Sequence, residues 1–224
     1  MADRPTGQRH LDHLGRDLTG ELDAVLHLLD RQIIDVNGRM VGKVDDLALD
    51  SGLRVTALLT GTPALLGRLG GSLGGRVLRG WQMVGIEQAD RNAAYRVDLS
   101  SVDRLDSAVH LRVSRDRLLH REVGPSLRLS QLLELAVEGE GVHRGSGVLD
   151  VRLDELRVRS YVVGPGRPGG LLGYDRRADQ GPWVVARVVR WLHRHAGVAP
   201  RDRAEADLEA GTLRVTGRLE PLLR

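Results

Sequence analysis

The chain carries the same ordered set of landmarks twice. Leu28-Leu29-Asp30, Asn37-Gly38 and the run from Val41 to Asp50 are answered, roughly a hundred residues later, by Leu132-Leu133-Glu134, Gly139-Glu140-Gly141 and the run from Ser146 to Asp154. Leu58-Leu59-Thr60-Gly61 followed by Leu65-Leu66-Gly67 recurs as Val162-Val163-Gly164 followed by Leu171-Leu172-Gly173, and Leu111-Arg112-Val113 is answered by Leu213-Arg214-Val215. Landmarks that return in one order imply a duplicated unit, which confines the chain to folds that can be built twice. Each motif that suggests chemistry can also be checked against its own copy.

A length of 224 residues accommodates two such units, each of roughly 90 residues. Phe is absent and only three Trp and three Tyr occur, so the cores must be small and built from Leu, Val, Ile and Ala. No apolar run approaches the ~20 residues of a membrane-spanning helix, and the opening Met1-Ala2-Asp3-Arg4-Pro5 is too polar for a signal peptide. A soluble, cytoplasmic protein is expected. The lack of Cys excludes disulfides, thiolate metal sites and cysteine catalysis. Net charge is +3, and Lys43 is the only lysine, so nearly all the positive charge is guanidinium. Guanidinium suits carboxylate, phosphate and aromatic faces through its planar, two-pronged geometry. Its scatter over every segment fits a general replacement of Lys by Arg better than one concentrated binding block.

Along the chain, Leu11, Leu14, Leu18, Leu22, Val25, Leu26 and Leu29 recur at spacings of three and four, which predicts an amphipathic leader helix over 1–27. Ile33 to Val36 then runs into Asn37-Gly38, a pair suited to the positive φ angles of a tight hairpin, and Met40 to Asp50 supplies the returning strand. With Gly42 set against Gly147, the first copy has Asp45-Asp46 where the second has only Asp150, a difference that a one-residue β-bulge would allow. Further strands are expected over 54–59, 95–99 and 108–113, and in the second copy over 206–208 and 212–215. Between them lie two excursions. The first, over 61–94, is rich in Gly and Arg, a composition that disfavours helix by roughly 1 kcal/mol per Gly relative to Ala. The second contains a better helix over 182–195, with Pro182 at its first turn and Gly197 beyond its end.

The hairpin from Asp30 to Leu47, with Asn37-Gly38 at its turn and Val41-Gly42-Lys43-Val44-Asp45-Asp46 on the return, resembles the opening of a PRC-barrel domain. That family includes the cytoplasmic domain of the photosynthetic reaction-centre H subunit and the C-terminal domain of the ribosome maturation factor RimM. Its members are small β-barrels that dock on partners and carry no catalysis of their own. The resemblance covers 28–60, extends to 95–113, and is weaker in the second copy, where the turn is enlarged and Val148 replaces Lys43. As a whole the chain looks like PRC-barrel proteins of actinobacteria in its Arg and Gly usage. The fold this implies is mainly β, two tandem small PRC-type β-barrels with short helical insertions. Its parts are the helical leader 1–27, a first unit 28–115, a linker 116–126 and a divergent second unit 127–220.

Four motifs invite a chemical reading, and each has a plainer one. Gly164-Pro165-Gly166-Arg167-Pro168-Gly169 matches the dinucleotide fingerprint, but its prolines remove N–H donors that a pyrophosphate needs, so it reads as a turn. Gly70-Gly71-Ser72-Leu73-Gly74 matches the hydrolase elbow without the buried strand that must precede the serine. The pairs His10/His13 and His193/His195 lack a third ligand fixed by spacing, and read as surface histidines. Asp45-Asp46 and Asp98 could suggest acid–base work. The doublet has no evident counterpart in the second copy, so solvent-facing carboxylates at a bulge are expected.

One constellation stands above this background. Arg187, Arg190 and Arg194 lie three and four apart on one helical face, flanked by Trp183 and Trp191, while Val184, Val188 and Leu192 share another face. Such a helix can lie on anionic lipid, pack on an acidic partner, or cover the end of its own barrel and bury its tryptophans. The expectation is a non-catalytic adaptor in which Arg68, Arg76, Arg79 and Trp81 of the first excursion join Trp183, Arg187, Arg190, Trp191 and Arg194 of the second as the contact surface. A protein partner comes first, then peripheral contact with an anionic membrane at its inner face, then RNA, for which stacking aromatics are scarce. No cofactor, metal or catalytic residue is expected, and an enzyme such as a hydrolase is the rival class.

Overall fold

A computed structural model of the chain describes residues 20–61, 64, 95–117, 120–121, 126–168, 184, 187, 191 and 193–222. The fold is mainly β, as the sequence predicts. In the first half the strands are β1 (Leu22–Asp23), β2 (Gln32–Ile34), β3 (Met40–Lys43), β4 (Asp46–Leu49), β5 (Val55–Thr60), β6 (Tyr95–Asp98), β7 (Val102–Leu105), β8 (Ala108–Leu111) and β9 (His120–Arg121). The second half has β10 (Leu127–Arg128), a helix α1 (Leu129–Leu133), β11 (Ala136–Gly139), β12 (Ser146–Asp154), β13 (Arg157–Pro165), β14 (Gly197–Pro200), β15 (Ala204–Asp207), β16 (Thr212–Val215) and β17 (Glu220–Pro221).

Both halves run through one pairing order. In the first it reads β7-β8-β2-β3 in one sheet and β4-β5-β6-β9 in the next; in the second it reads β15-β16-β11-β12-β13-β14-β17, with the long β12 occupying the places of both β3 and β4. Among the described residues each half has one parallel pair, β2 with β8 and β11 with β16, among antiparallel neighbours. None of these sheets closes on itself as a barrel. Most buried apolar residues of the two halves, among them Ile33, Leu47 and Leu58 from one and Val137, Val151 and Tyr161 from the other, belong to one continuous cluster, with smaller clusters around Leu149 in the second half and Leu59 in the first.

The register corrects two of the sequence landmarks. Val44 N–H donates to the Arg31 carbonyl and Val148 N–H to the Leu135 carbonyl, which makes Val44 the counterpart of Val148 and places Lys43, not Gly42, against Gly147. No residue is then missing between the copies, and Asp46 corresponds to Asp150. The second displaced landmark is at β8. Val109 pairs with Ile33 as Leu213 pairs with Val137, so Val109-His110-Leu111, not Leu111-Arg112-Val113, answers Leu213-Arg214-Val215. The tight glycine at 42 has a local cause instead: a side chain there would collide with Thr60 Oγ1.

The segment expected to be a leader helix enters the sheet at residue 22. Residues 1–19 of that segment lie outside the described residues; of the rest, Leu22 and Asp23 pair with Leu153 and Arg152 of β12, and Ala24–Leu28 is helical, one wide turn closed by Leu29 N–H donating to Ala24 O at 3.1 Å. Leu127 and Arg128 of β10 pair in the same way with Leu49 and Ala48 of β4 before α1 begins. The opening strand and turn of each half are therefore laid on the sheet of the other half. The hairpins β4–β5 and β12–β13 also meet: Val55 N–H donates to Leu156 O at 2.8 Å and Val158 N–H to Leu53 O at 3.0 Å. Both leucines hold positive φ, 60° and 63°. That backbone is strained for a bulky residue, by about 1 kcal/mol or more, and must be maintained by the surrounding contacts.

Two buried carboxylates fasten this exchange. Asp46, with no exposure, accepts from Ser130 N–H at 3.1 Å, Ser130 Oγ–H at 2.6 Å and Leu47 N–H at 2.8 Å. Asp150, 2% exposed, accepts from Val25 N–H at 2.8 Å, Leu26 N–H at 3.2 Å and Val151 N–H at 2.6 Å. Each carboxylate holds the otherwise unpaired N–H groups at the start of the other half's helical turn. The expectation of a solvent-facing doublet without a counterpart is thus overturned, and Asp45, half-buried, accepts from Gly61 N–H at 2.7 Å. The hairpin turn differs as well. Only Gly38, φ 75°, is in the left-handed region, and Asp35 organises the turn by accepting from Asn37 and Arg39 N–H at 2.9 and 2.8 Å.

Replacing Asp46 by Ala leaves three buried donors unpaired and should cost about 2–4 kcal/mol, whereas Asp46→Asn keeps an acceptor and should cost less. Burial raises the Asp46 pKa, with the Ser130 hydroxyl and backbone donors opposing it in part. Folding then takes up a proton between the unfolded value, about 4, and the raised folded one, and the Asp46 contribution to stability declines as pH rises through that window. Denaturant titrations from acid to neutral pH should show the gap between wild type and Asp46→Asn changing only there. At the turn, Gly38→Val should cost roughly 1–3 kcal/mol by the same measurement, because a β-branched residue is strained at positive φ.

Candidate functional site

The described part of the second excursion presents one exposed face. Val184, Arg187 and Trp191 all have helical conformation, and their spacing of three and four sets them on one side of the helix. Val184 is 51% and Trp191 62% exposed, and Arg187 and Arg194 are exposed too. The chain leaves the helix through turns in which Arg194 N–H donates to Trp191 O and Ala196 N–H to His193 O, and then enters β14 at Gly197. This exit fixes Arg194. Its Nη1 donates to Trp191 O at 2.9 Å, satisfying a carbonyl at the helix end, and its Cζ stands 4.7 Å from the centroid of the Trp191 ring.

The composition of this face differs from the sequence expectation in two ways. Val184, read as part of an apolar face with Val188 and Leu192, stands on the open face beside Arg187. Trp191 does not bury its ring as a barrel lid would require. Arg187, Trp191 and Arg194 are therefore exposed together, with the Arg194 guanidinium against the indole ring. Trp183 and Arg190, together with Arg68, Arg76, Arg79 and Trp81 of the first excursion, lie outside the described residues, as do Ser72, His10 and His13.

The remaining motifs resolve into structure. Gly164 and Pro165 complete β13, and Gly166 follows with φ 132°, so the fingerprint glycines begin as a strand end. His195 stacks on His143 with ring centroids 4.7 Å apart, while His193 has Nε2 buried without a hydrogen bond, so this pair does not converge on a common point. Asp98 sits on the surface, 3.0 Å from Arg96 Nε. Among the described residues no group of three or more His, Cys, Asp or Glu is arranged to hold a metal, and no helix is long and apolar enough to cross a membrane.

The chain matches no family model, and no curated protein is significantly similar to it. Because Trp191 and Val184 stand in solvent, Trp191→Ala and Val184→Ser should each change stability by no more than about 0.5 kcal/mol in urea unfolding. A loss of several kcal/mol in either would place that side chain in a core.

Proposed function

We propose that this protein is a non-catalytic docking protein, built of two units related to PRC-barrels, that binds an acidic surface of a protein partner. The observation that carries the reading is Trp191, 62% exposed, with the Arg194 guanidinium on its ring and Arg187 on the same face. Tryptophan and arginine are the side chains that most often dominate binding energy at protein interfaces, and an isolated domain gains nothing from leaving a tryptophan in water. Guanidinium groups around it favour a partner whose surface is acidic, and their planarity favours carboxylates over diffuse charge. The common pairing order of the halves supports the tandem reading, and the excursions between their strands supply the contact surface.

The combined variant Arg187→Gln/Trp191→Ala/Arg194→Gln should keep the wild-type melting temperature, since exposed ion pairs contribute about 0–1 kcal/mol. Wild-type protein on beads should retain an acidic protein that the variant does not, with retention failing at high salt, where screening shortens to roughly 3 Å at 1 M. Equal retention by both proteins would remove this face from the interface. Flotation with anionic vesicles or an RNA mobility shift that depends on the same three residues would replace the protein partner with lipid or RNA.

A further inference from the structure

The hairpins of the two halves meet at an arginine pair that has no structural explanation. Arg54 and Arg157 face each other across the isolated antiparallel bridge that joins the halves. The flanking hydrogen bonds, Val55 N–H to Leu156 O and Val158 N–H to Leu53 O, make this a non-hydrogen-bonded pair. Its Cα atoms then lie about 4.5 Å apart with side chains on one face. Like charges placed directly opposite destabilise a pairing, yet the chain has Arg at both matching positions, in Leu53-Arg54-Val55 and Leu156-Arg157-Val158.

The same two side chains open into a cleft of about 830 Å³, which Arg159 of β13 and Arg201 and Arg203 after β14 also line. None of these five guanidinium groups is in an ion pair with a carboxylate among the described residues, although Arg96, Arg104, Arg112 and Arg152 all are. Asp154, Glu155, Asp202 and Glu220 share the lining, so five positive groups face four negative ones. So small an excess attracts a monoanion weakly at long range. Binding then depends on contact, where a ligand with several anionic groups in series can chelate several guanidinium groups in two-pronged hydrogen bonds. Among the described residues no aromatic side chain lines the cleft, so none of them offers a surface for stacking a base.

We infer that this cleft binds an oligophosphate chain, with Arg54 and Arg157 holding one phosphoryl group between them and Arg159, Arg201 and Arg203 holding those that follow. The volume is that of a small-molecule site, and the ligand's charge offsets the repulsion between the opposed arginines. Recognition is of the phosphate chain, whether free or as the tail of a nucleotide. This site is separate from the Trp191 face and does not depend on the docking reading.

Titration calorimetry of the full-length protein with inorganic tripolyphosphate tests the site, with ATP, adenosine and tri-glutamate as the other arms. Tripolyphosphate and ATP should bind with similar affinity, weakened by salt, and adenosine should not bind. Losing one two-pronged contact costs about a factor of ten or more, so Arg54→Gln/Arg157→Gln should weaken tripolyphosphate binding about a hundredfold. Without ligand, the double variant should melt no lower than wild type, because it relieves a repulsion. Arg201→Gln/Arg203→Gln provides the same readout if the first pair fails to fold, and Arg187→Gln/Arg194→Gln should bind as wild type does. Tripolyphosphate binding without ATP binding would identify a free chain as the ligand, and ATP binding without tripolyphosphate binding would show that the nucleoside is required and overturn recognition of the phosphate chain. No binding of either, tri-glutamate binding as tightly, or undiminished binding by the cleft variants would overturn the inference.

Discussion

Two buried carboxylates, Asp46 and Asp150, determine how the halves of this protein are joined. Each lies within a buried stretch of strand, Asp46 at the head of β4 and Asp150 midway along β12, and accepts N–H groups from the helical turn that the other half sends across, Ser130 in one direction and Val25 with Leu26 in the other. A carboxylate removed from water is costly unless its lone pairs are occupied. The arrangement is therefore stable only when both turns are in place, and neither half can complete its interior alone. The shared apolar cluster is the packing counterpart of that condition, since Leu22 of β1, Leu28 of the turn after it, and Leu129 and Leu132 from α1 all belong to it.

The same pairing order is reached with different local means. The first half divides its long strand at Val44-Asp45, where Asp45 turns to hold Gly61, and so forms two sheets. The second runs through this point in one strand, with a register shift between Val148 and Asp150. Gly42 and Thr60 show the same freedom: the glycine admits the threonine hydroxyl in one half, and no matching glycine stands in the other. What is kept between the halves is the set of partners each strand has. The side chains that secure them are not kept, as expected where cross-strand packing and burial decide sheet stability more than any single residue.

Charge is distributed by a similar logic. Arginines that serve the fold are paired: Arg152 with Asp23 at 3.2 Å and with the Leu222 carbonyl, and Arg96 with Asp98. Arg54, Arg157, Arg159, Arg201 and Arg203, none of them in an ion pair with a carboxylate among the described residues, line one cleft at the junction of the hairpins, and Arg187 and Arg194 are exposed beside Trp191. Asp106 lies at the other extreme. Burial would raise its pKa, but the Ala108 N–H, His110 and Arg104 outweigh that and lower it, which keeps the carboxylate charged where it joins β7 to β8.

Periodicity and turn chemistry alone determined that the chain is mainly β, that Gly38 closes a hairpin, and that Val184, Arg187 and Trp191 are helical, although the helix expected to reach residue 195 has given way to turns by His193. These depend on interactions within a few residues, which sequence records directly. The exchange of opening segments, the burial of Asp46 and the meeting of Arg54 with Arg157 depend on contacts between residues about a hundred positions apart, and nothing local marks them. Matching glycines as landmarks displaced the comparison by one residue and hid Asp150 as the counterpart of Asp46, because a glycine is retained where backbones crowd and that crowding differs between the halves. Whether Trp191 would be core or surface was likewise open in the sequence, since the same helical spacing serves either. Only the tertiary structure decided it, by placing Val184, Arg187 and Trp191 on the side of the helix that faces water.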